Sequence, residues 1–209
     1  MGNIRHCIEN SKPSGFDGVK LLYVSTSKYE GDWQSILHSH PFSELFYVVH
    51  GSGTFVTEGM EFPVCENDMV IINPNVQHTE KSLYTTPLEY IVLGIEGLAF
   101  SFEEIASVQD RILMQTASGD VYKYNTQNSY VYSYLNIMLE EINKKEENYE
   151  AVCQNLLEVI MLCMLRHNNL SIVQSSNVLL NSECARIKKY LDANYAENIT
   201  LDTLAALSH

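Results

Sequence analysis

Positive charge is scarce in this chain: 13 Lys and Arg stand against 26 Asp and Glu in 209 residues, a formal net charge of −13. Binding to phosphate backbones or anionic lipid needs a positive footprint, so the chain as it stands is expected to be a poor DNA binder with no membrane partner. Cysteine is sparse as well. The five present (Cys7, Cys65, Cys153, Cys163, Cys184) are scattered and show no CxxC pair. That argues against a disulfide framework and a cysteine-rich zinc site, and fits a reducing cytoplasm. Cys153 and Cys163 lie in an apolar helical stretch, where a thiol serves as a small buried hydrophobe. The first residues, "MGNIRHCIENSKPSG", contain no apolar core of a signal peptide. The longest apolar run, "VIMLCML" at 159–165, is far too short to span a membrane. Repeats, low-complexity tracts, phosphate-cradling glycine loops and Ser–His–Asp arrangements are also lacking.

What is present is ample core material, 45% hydrophobic, in two textures. From 18 to about 100 the chain runs in short apolar or alternating segments: "VKLLYVSTS", "LFYVVHGSGTFVTEGMEFPV", "DMVIINPN" and "EYIVLGIEG". Val, Ile, Tyr and Phe fill these runs while Gly, Pro, Asn and Asp punctuate them, which predicts an all-β sandwich or barrel. "HGSGT" between "LFYVV" and "FVTEG" reads as a hairpin, with Gly51 and Gly53 supplying the permissive backbone.

From about 126 the texture is helical. Val131, Leu135, Met138, Leu139 and Ile142 recur at helical spacing, and "EEINKKEEN" closes a first helix. A second, from about 149 to 167, is apolar nearly all round and must be covered by its own domain or another chain. Residues 169–182, rich in Asn and Ser, read as a linker. A further helix begins near 183, and Thr200 can N-cap another, "LDTLAALSH". The expected organisation is an arm (1–17), a β barrel (18–125), a helical connector (126–168), the linker (169–182) and a helical segment (183–209), α+β overall.

The chemistry-bearing stretch is "ILHSHPFSELFYVVHGSGTF", residues 36–55. Residues two apart on a strand share a face, so His38 and His40 converge if 35–40 is extended, and a bend at Pro41 would bring Glu44 beside them. His78 follows a neighbouring strand after a Pro–Asn turn. Imidazoles plus a carboxylate suit Zn, Ni, Mn or Fe(II) and leave positions open for chemistry. Two other readings stand beside this one: a metal-free ligand pocket, and plain barrel filling.

His38-x-His40, then Glu44, then Gly51 resembles the first motif of the cupin superfamily, and "ENDMVIINPNVQH" resembles the second, with Pro74 and His78 in place. The resemblance implies a small antiparallel jelly-roll barrel. Two departures stand out. Asn67 occupies a place where Gly is usual, and one residue fewer separates Pro74 from His78, a shift that bears on whether His78 stays in a ligand set.

"IKKYLDANYAENITLDTLAALSH" resembles the opening of the DNA-binding domain of AraC-type transcription regulators. Ile187, Tyr190, Leu191, Tyr195, Ile199, Thr200, Leu201, Leu204 and Ala205 fall where that family places such residues. Barrel, connector and helix-turn-helix onset follow the family's order of parts. The resemblance implies a ligand-responsive regulator that binds a small effector, often a sugar, in the barrel and forms a homodimer through the connector helices. The last residues would be a helix-turn-helix cut short. DNA would be read only by the full-length protein, by helices beyond residue 209. Residues expected around the ligand are His38, His40, Glu44 and His78, with Trp33, Tyr47, Asn73, Tyr90 and Arg5 as further candidates. Trp33 reads equally as a core anchor, and Tyr47 has strand parity opposite to Glu44. The competing expectation is a metal-dependent cupin enzyme of isomerase or dioxygenase type, with His38, His40, Glu44 and His78 as ligands.

Overall fold

The computed structural model describes residues 4–7, 16, 18–29, 36–82, 85–102, 112–115, 121–126, 130–168 and 170–174. The chain divides into two compact units, Met1–Val173 and Gln174–His209. Trp33, most of the expected linker and the whole expected helix-turn-helix (183–209) lie outside the described residues.

In chain order the elements are β1 (Ile4–Cys7), β2 (Lys20–Lys28), β3 (Ser43–His50), β4 (Ser52–Thr57), β5 (Met60–Cys65), β6 (Asp68–Ile72), β7 (His78–Ser82), β8 (Glu89–Glu96), β9 (Leu98–Phe102), β10 (Ile112–Gln115), β11 (Val121–Asn125), α1 (Val131–Lys144), α2 (Tyr149–Asn168) and β12 (Leu170–Gln174). A seven-stranded sheet has the order β1-β2-β8-β3-β6-β11-β10, and a three-stranded sheet the order β5-β4-β7. The fold class is the expected one: a β-dominated N-terminal part followed by two helices.

Strand periodicity assigns the two faces of the large sheet to different cores. On β3, Phe46 and Val48 join Phe55, Phe62 and Val64 of the small sheet in the barrel interior. Leu45 and Tyr47, one residue out of phase, join the helical residues Val131, Leu135, Met138, Leu157, Ile160 and Met161. A strand covered on both faces reads as a continuous apolar run, not an alternation. β6 is such a strand: Val70 and Ile72 point into the barrel, Met69 and Ile71 to the helices, and every residue of the strand is buried. Fully burying one such side chain contributes about 1.5–3 kcal/mol, so the helical layer is part of what holds the sheet.

Helix α1 ends where Lys145 adopts a left-handed conformation (φ 50°) and donates its N–H to Glu141 O at 2.8 Å. The connection 145–148 then folds α2 back onto α1, where Cys153 lies against the Met138 carbonyl at 3.7 Å. Val152, Val159 and Leu162 remain exposed on α2. No helix among the described residues is long and apolar enough to cross a membrane.

Three local expectations differ from the structure. "HGSGT" is a corner between sheets and not a hairpin, because β3 pairs with β6 and β8 whereas β4 pairs with β5 and β7. Gly51 makes the corner at φ 82°, so close to the chain opposite that a Cβ would fall 2.0 Å from Pro87 O. Residues 170–174, read as the start of the linker, form β12, which pairs with β9. Within the expected N-terminal arm, residues 4–7 form an edge strand, with Arg5 opposite Ser25 of β2.

Candidate metal and ligand site

The histidines and Glu44 come from three places in the chain. Glu44 opens β3 on its inward face. His78 opens β7, inward beside Thr57 of β4. His38 is tied to His78 by an isolated bridge, with His38 N–H donating to His78 O at 3.1 Å and His78 N–H to His38 O at 2.9 Å. The bend expected at Pro41 brings His40 back so that its Nε2 lies 2.9 Å from Glu44 Oε2. His78 Nε2 lies 3.2 Å from that same oxygen. The shortened Pro74–His78 spacing therefore does not turn His78 away. The ladder to β4 and the bridge to His38 set its direction, and the loop length does not.

The ring tautomers follow from the partners. Nδ1 of His38 lies 3.1 Å from Ile36 O, that of His40 2.8 Å from Phe42 O, and that of His78 2.9 Å from Val76 O. A carbonyl only accepts, so each Nδ1 carries a proton; Nε2 of His78 also donates, to the ionised Glu44 carboxylate, and its lone pair faces a metal only once that proton leaves. One donor nitrogen from each ring lies within 4.8 Å of the others. His40 Nε2 is close to Glu44 but off the line of a hydrogen bond, and it is a buried nitrogen without a hydrogen-bond partner among the described residues. An orphaned buried lone pair, three co-directed imidazole nitrogens and a carboxylate oxygen are what a divalent metal would satisfy.

Burial alone would raise the pKa of Glu44, but the adjacent imidazoles of His40 and His78 outweigh it and hold the carboxyl well below the usual range. Burial alone would lower that of His78, but Glu44 outweighs it and the imidazole is raised. The three imidazoles fit a metal: His38, His40 and His78 would hold it, and Glu44 Oε2, beside two of them, is placed to complete the set. A bound divalent ion would supply Lewis acidity to a coordinated oxygen. His38 is exposed while His40, Glu44 and His78 are buried, so a small molecule would approach from the His38 side.

The remaining candidates divide. Tyr90 is inside the barrel, its ring tilted against Phe46 with centroids 4.4 Å apart, and its hydroxyl donates to Glu80. Tyr47 is on the helical face, where its ring stacks on Tyr132 and its hydroxyl donates to Asn67 Oδ1 at 3.0 Å. Asn73 brackets a backbone: its Nδ2 donates to Phe100 O and its Oδ1 accepts from Phe100 N–H, both at 2.8 Å. Asn67 replaces the usual glycine without changing the turn, since it takes φ 68°, a conformation Asn tolerates.

Two inward residues were missed by sequence reasoning. Glu80 shares the strand parity of His78, a signal that alternation in "HTEKS" carries. Tyr23 donates its hydroxyl to Glu44 Oε1, and nothing local in "KLLYV" announces that.

Residues 27–94 match the cupin domain family. No curated protein matches the chain. Similar solved structures include apo ToxT from Vibrio cholerae strain SCE256, at 10% identity and TM-score 0.49, covering 94% of this chain and 71% of that one. A predicted oxalate decarboxylase from Thermotoga maritima has 24% identity and TM-score 0.34 over 36% of this chain and 67% of that one. The DMSP lyase DddQ from Ruegeria pomeroyi DSS-3 has 19% identity and TM-score 0.35 over 44% and 46%.

Proposed function

We propose that this chain is the effector-binding part of a ligand-responsive transcription regulator of AraC type. Its effector is a small polar metabolite such as a sugar, bound in the barrel at the His38–His40–Glu44–His78 centre, and the protein acts in the cytoplasm. The observation that carries this reading is the order of parts. A cupin barrel is backed on its outer sheet by two helices, and the residues after them resemble the start of a helix-turn-helix. The barrel interior and the helical core lie on opposite faces of the same large sheet, so a ligand that favours one packing of the sheet biases the helices. Val152, Val159 and Leu162 on the exposed side of α2 offer a second copy an apolar contact. On this reading the chain is no enzyme, and the metal, if bound, orients the effector.

The test is a thermal-shift screen of the purified chain against sugars and other polar metabolites, since a ligand of the native state raises the melting temperature with occupancy. A hit should also change duplex binding by a chain that carries a complete helix-turn-helix. Promoter-length DNA left unbound with and without every hit would overturn the regulator.

The second reading, a metal-dependent enzyme, is favoured by the three imidazole nitrogens within 4.8 Å of one another and the orphaned His40 nitrogen. Near-stoichiometric metal in protein purified without chelator, with a turnover activity lost together with the metal in His40→Ala, would establish it.

A further inference from the structure

Glu44 is engaged from two sides. Its Oε2 faces His40 Nε2 at 2.9 Å and His78 Nε2 at 3.2 Å, while its Oε1 accepts the hydroxyl of Tyr23. Tyr23 and Glu44 are not on adjacent strands. Tyr23 of β2 is opposite Gly94 of β8, and Gly94 is opposite Glu44 of β3, so one row of the sheet reads Tyr23–Gly94–Glu44. Strands two apart are separated by about 10 Å, and only a long side chain lying flat over the middle strand bridges that. Gly94 leaves the room: a Cβ there would fall 2.3 Å from the Tyr23 ring.

Tyr23 reaches the inner face through an irregularity. Strict alternation would put Leu21 and Tyr23 on one face and Val24 on the other. The register of β2 against β8 shifts between Leu21 and Tyr23, so Leu21 and Val24 both join the helical core and Tyr23 joins the barrel core. The shifted backbone is held from α2: Gln154 Oε1 accepts Leu21 N–H at 2.8 Å, and Gln154 Nε2 donates to Val19 O at 3.2 Å. A bulge, a glycine and a buried glutamine from the helical layer thus converge on the position of one hydroxyl.

Resting on the metal reading of the site, we propose that Tyr23 is its positioning residue. By occupying Oε1 it turns a single carboxylate oxygen, Oε2, toward Nε2 of His40 and His78, which would leave a bound cation one more position for a small molecule. Without Tyr23 the two oxygens of Glu44 become equivalent, and both can turn to the cation.

The test uses the purified chain, stripped with chelator and titrated with Co2+ alone. The d–d bands of Co2+ report the ligand sphere, and they weaken when an additional oxygen enters it. Tyr23→Phe should bind Co2+ with weaker bands than the wild type and with a Kd about 10-fold higher, as expected for loss of a partner behind a ligand. Gly94→Ala, which pushes the Tyr23 ring aside while keeping its hydroxyl, should change the bands in the same sense and serves if Tyr23→Phe does not fold. Spectra and Kd of a folded Tyr23→Phe that superimpose on the wild type overturn the inference while leaving the metal centre standing. A wild-type chain that takes up no Co2+ removes the metal reading and the inference with it.

Discussion

Lys123 Nζ lies 2.9 Å from Asp68 Oδ2, with the Asp68 side chain 1% exposed. Lys123 also donates to Pro63 O at 2.6 Å, and Asp68 accepts from Cys65 N–H at 2.9 Å and Asn125 Nδ2 at 3.0 Å. The pair ties β11 to the β5–β6 turn, at the end of β6 away from the histidine centre. Removing one member of a buried pair strands the other charge and costs about 3–5 kcal/mol. Lys123→Met should lose stability in that range by urea unfolding, and Lys123→Met combined with Asp68→Asn should recover much of it. A single variant within about 0.5 kcal/mol of wild type, the range of an ordinary surface substitution, would refute the pair's role.

Gln154 is a polar residue on a nearly apolar helix, and it is 1% exposed. Its amide atoms serve Leu21 of β2 and Val19 just before that strand, so Gln154→Leu keeps the volume and leaves Leu21 N–H and Val19 O without that partner. An unsatisfied buried group costs about 1–3 kcal/mol. The expected result is a lower urea midpoint and faster amide hydrogen exchange confined to the start of β2.

Position along the sheet and helices decides what a truncation does. Ile71 is fully buried beneath the helices, so Ile71→Ala should cost about 2–5 kcal/mol. Leu162 is 48% exposed, so Leu162→Glu should leave the stability of the single chain within about 0.5 kcal/mol. If α2 carries the proposed dimer contact, Leu162→Glu should nevertheless lower the mass seen in sedimentation. An unchanged dimer would exclude that contact.

His40 contributes one of the three converging imidazole nitrogens, and its ring is stacked at 4.2 Å on Phe42. Losing a partner behind a ligand costs roughly 10–100-fold in metal affinity, and losing a ligand itself should cost more than 100-fold. Calorimetric titration of His40→Ala with Zn2+ should show that loss, with the melting temperature of the stripped protein lowered far less than by Ile71→Ala. Equal Zn2+ affinity in wild type and variant would exclude the centre.

Cys65 is exposed, yet its thiol is pushed up, first by partial burial and then by the charge and hydrogen bond of Asp68. The thiolate is the reactive form, so a raised pKa means less of it at neutral pH. Alkylation of Cys65 by iodoacetamide, followed by peptide mass spectrometry, should be several-fold slower than that of glutathione at pH 7.5. The rate should keep rising with pH beyond the ordinary thiol range. Cys153, buried and pushed up to about 12, should not react until the chain unfolds.

Local sequence was enough wherever the governing period is local. Alternation in "LFYVV", the two-faced run "MVII" and the spacing Val131–Leu135–Met138–Ile142 dictate strands, a doubly covered strand and an amphipathic helix, because each residue's side is set by its own backbone geometry. The same rule set Tyr47 on the face opposite Glu44, whereas His38 and His40 lie outside any strand, one exposed and one buried, and meet through the His78 bridge and the Pro41 bend. The pairing of distant segments was decided by tertiary structure alone. Whether Gly51 closes a hairpin or turns a corner depends on strands far along the chain, and so does the direction of His78, which the His38 bridge and β4 set. Tyr23 is the sharpest case: only the bulge in β2, the bare Cα of Gly94 and the Gln154 clamp bring its hydroxyl to Glu44, and these come from three separate parts of the chain. Composition carried the donor atoms of the centre. Their common direction came from long-range backbone pairing, which no local window contains.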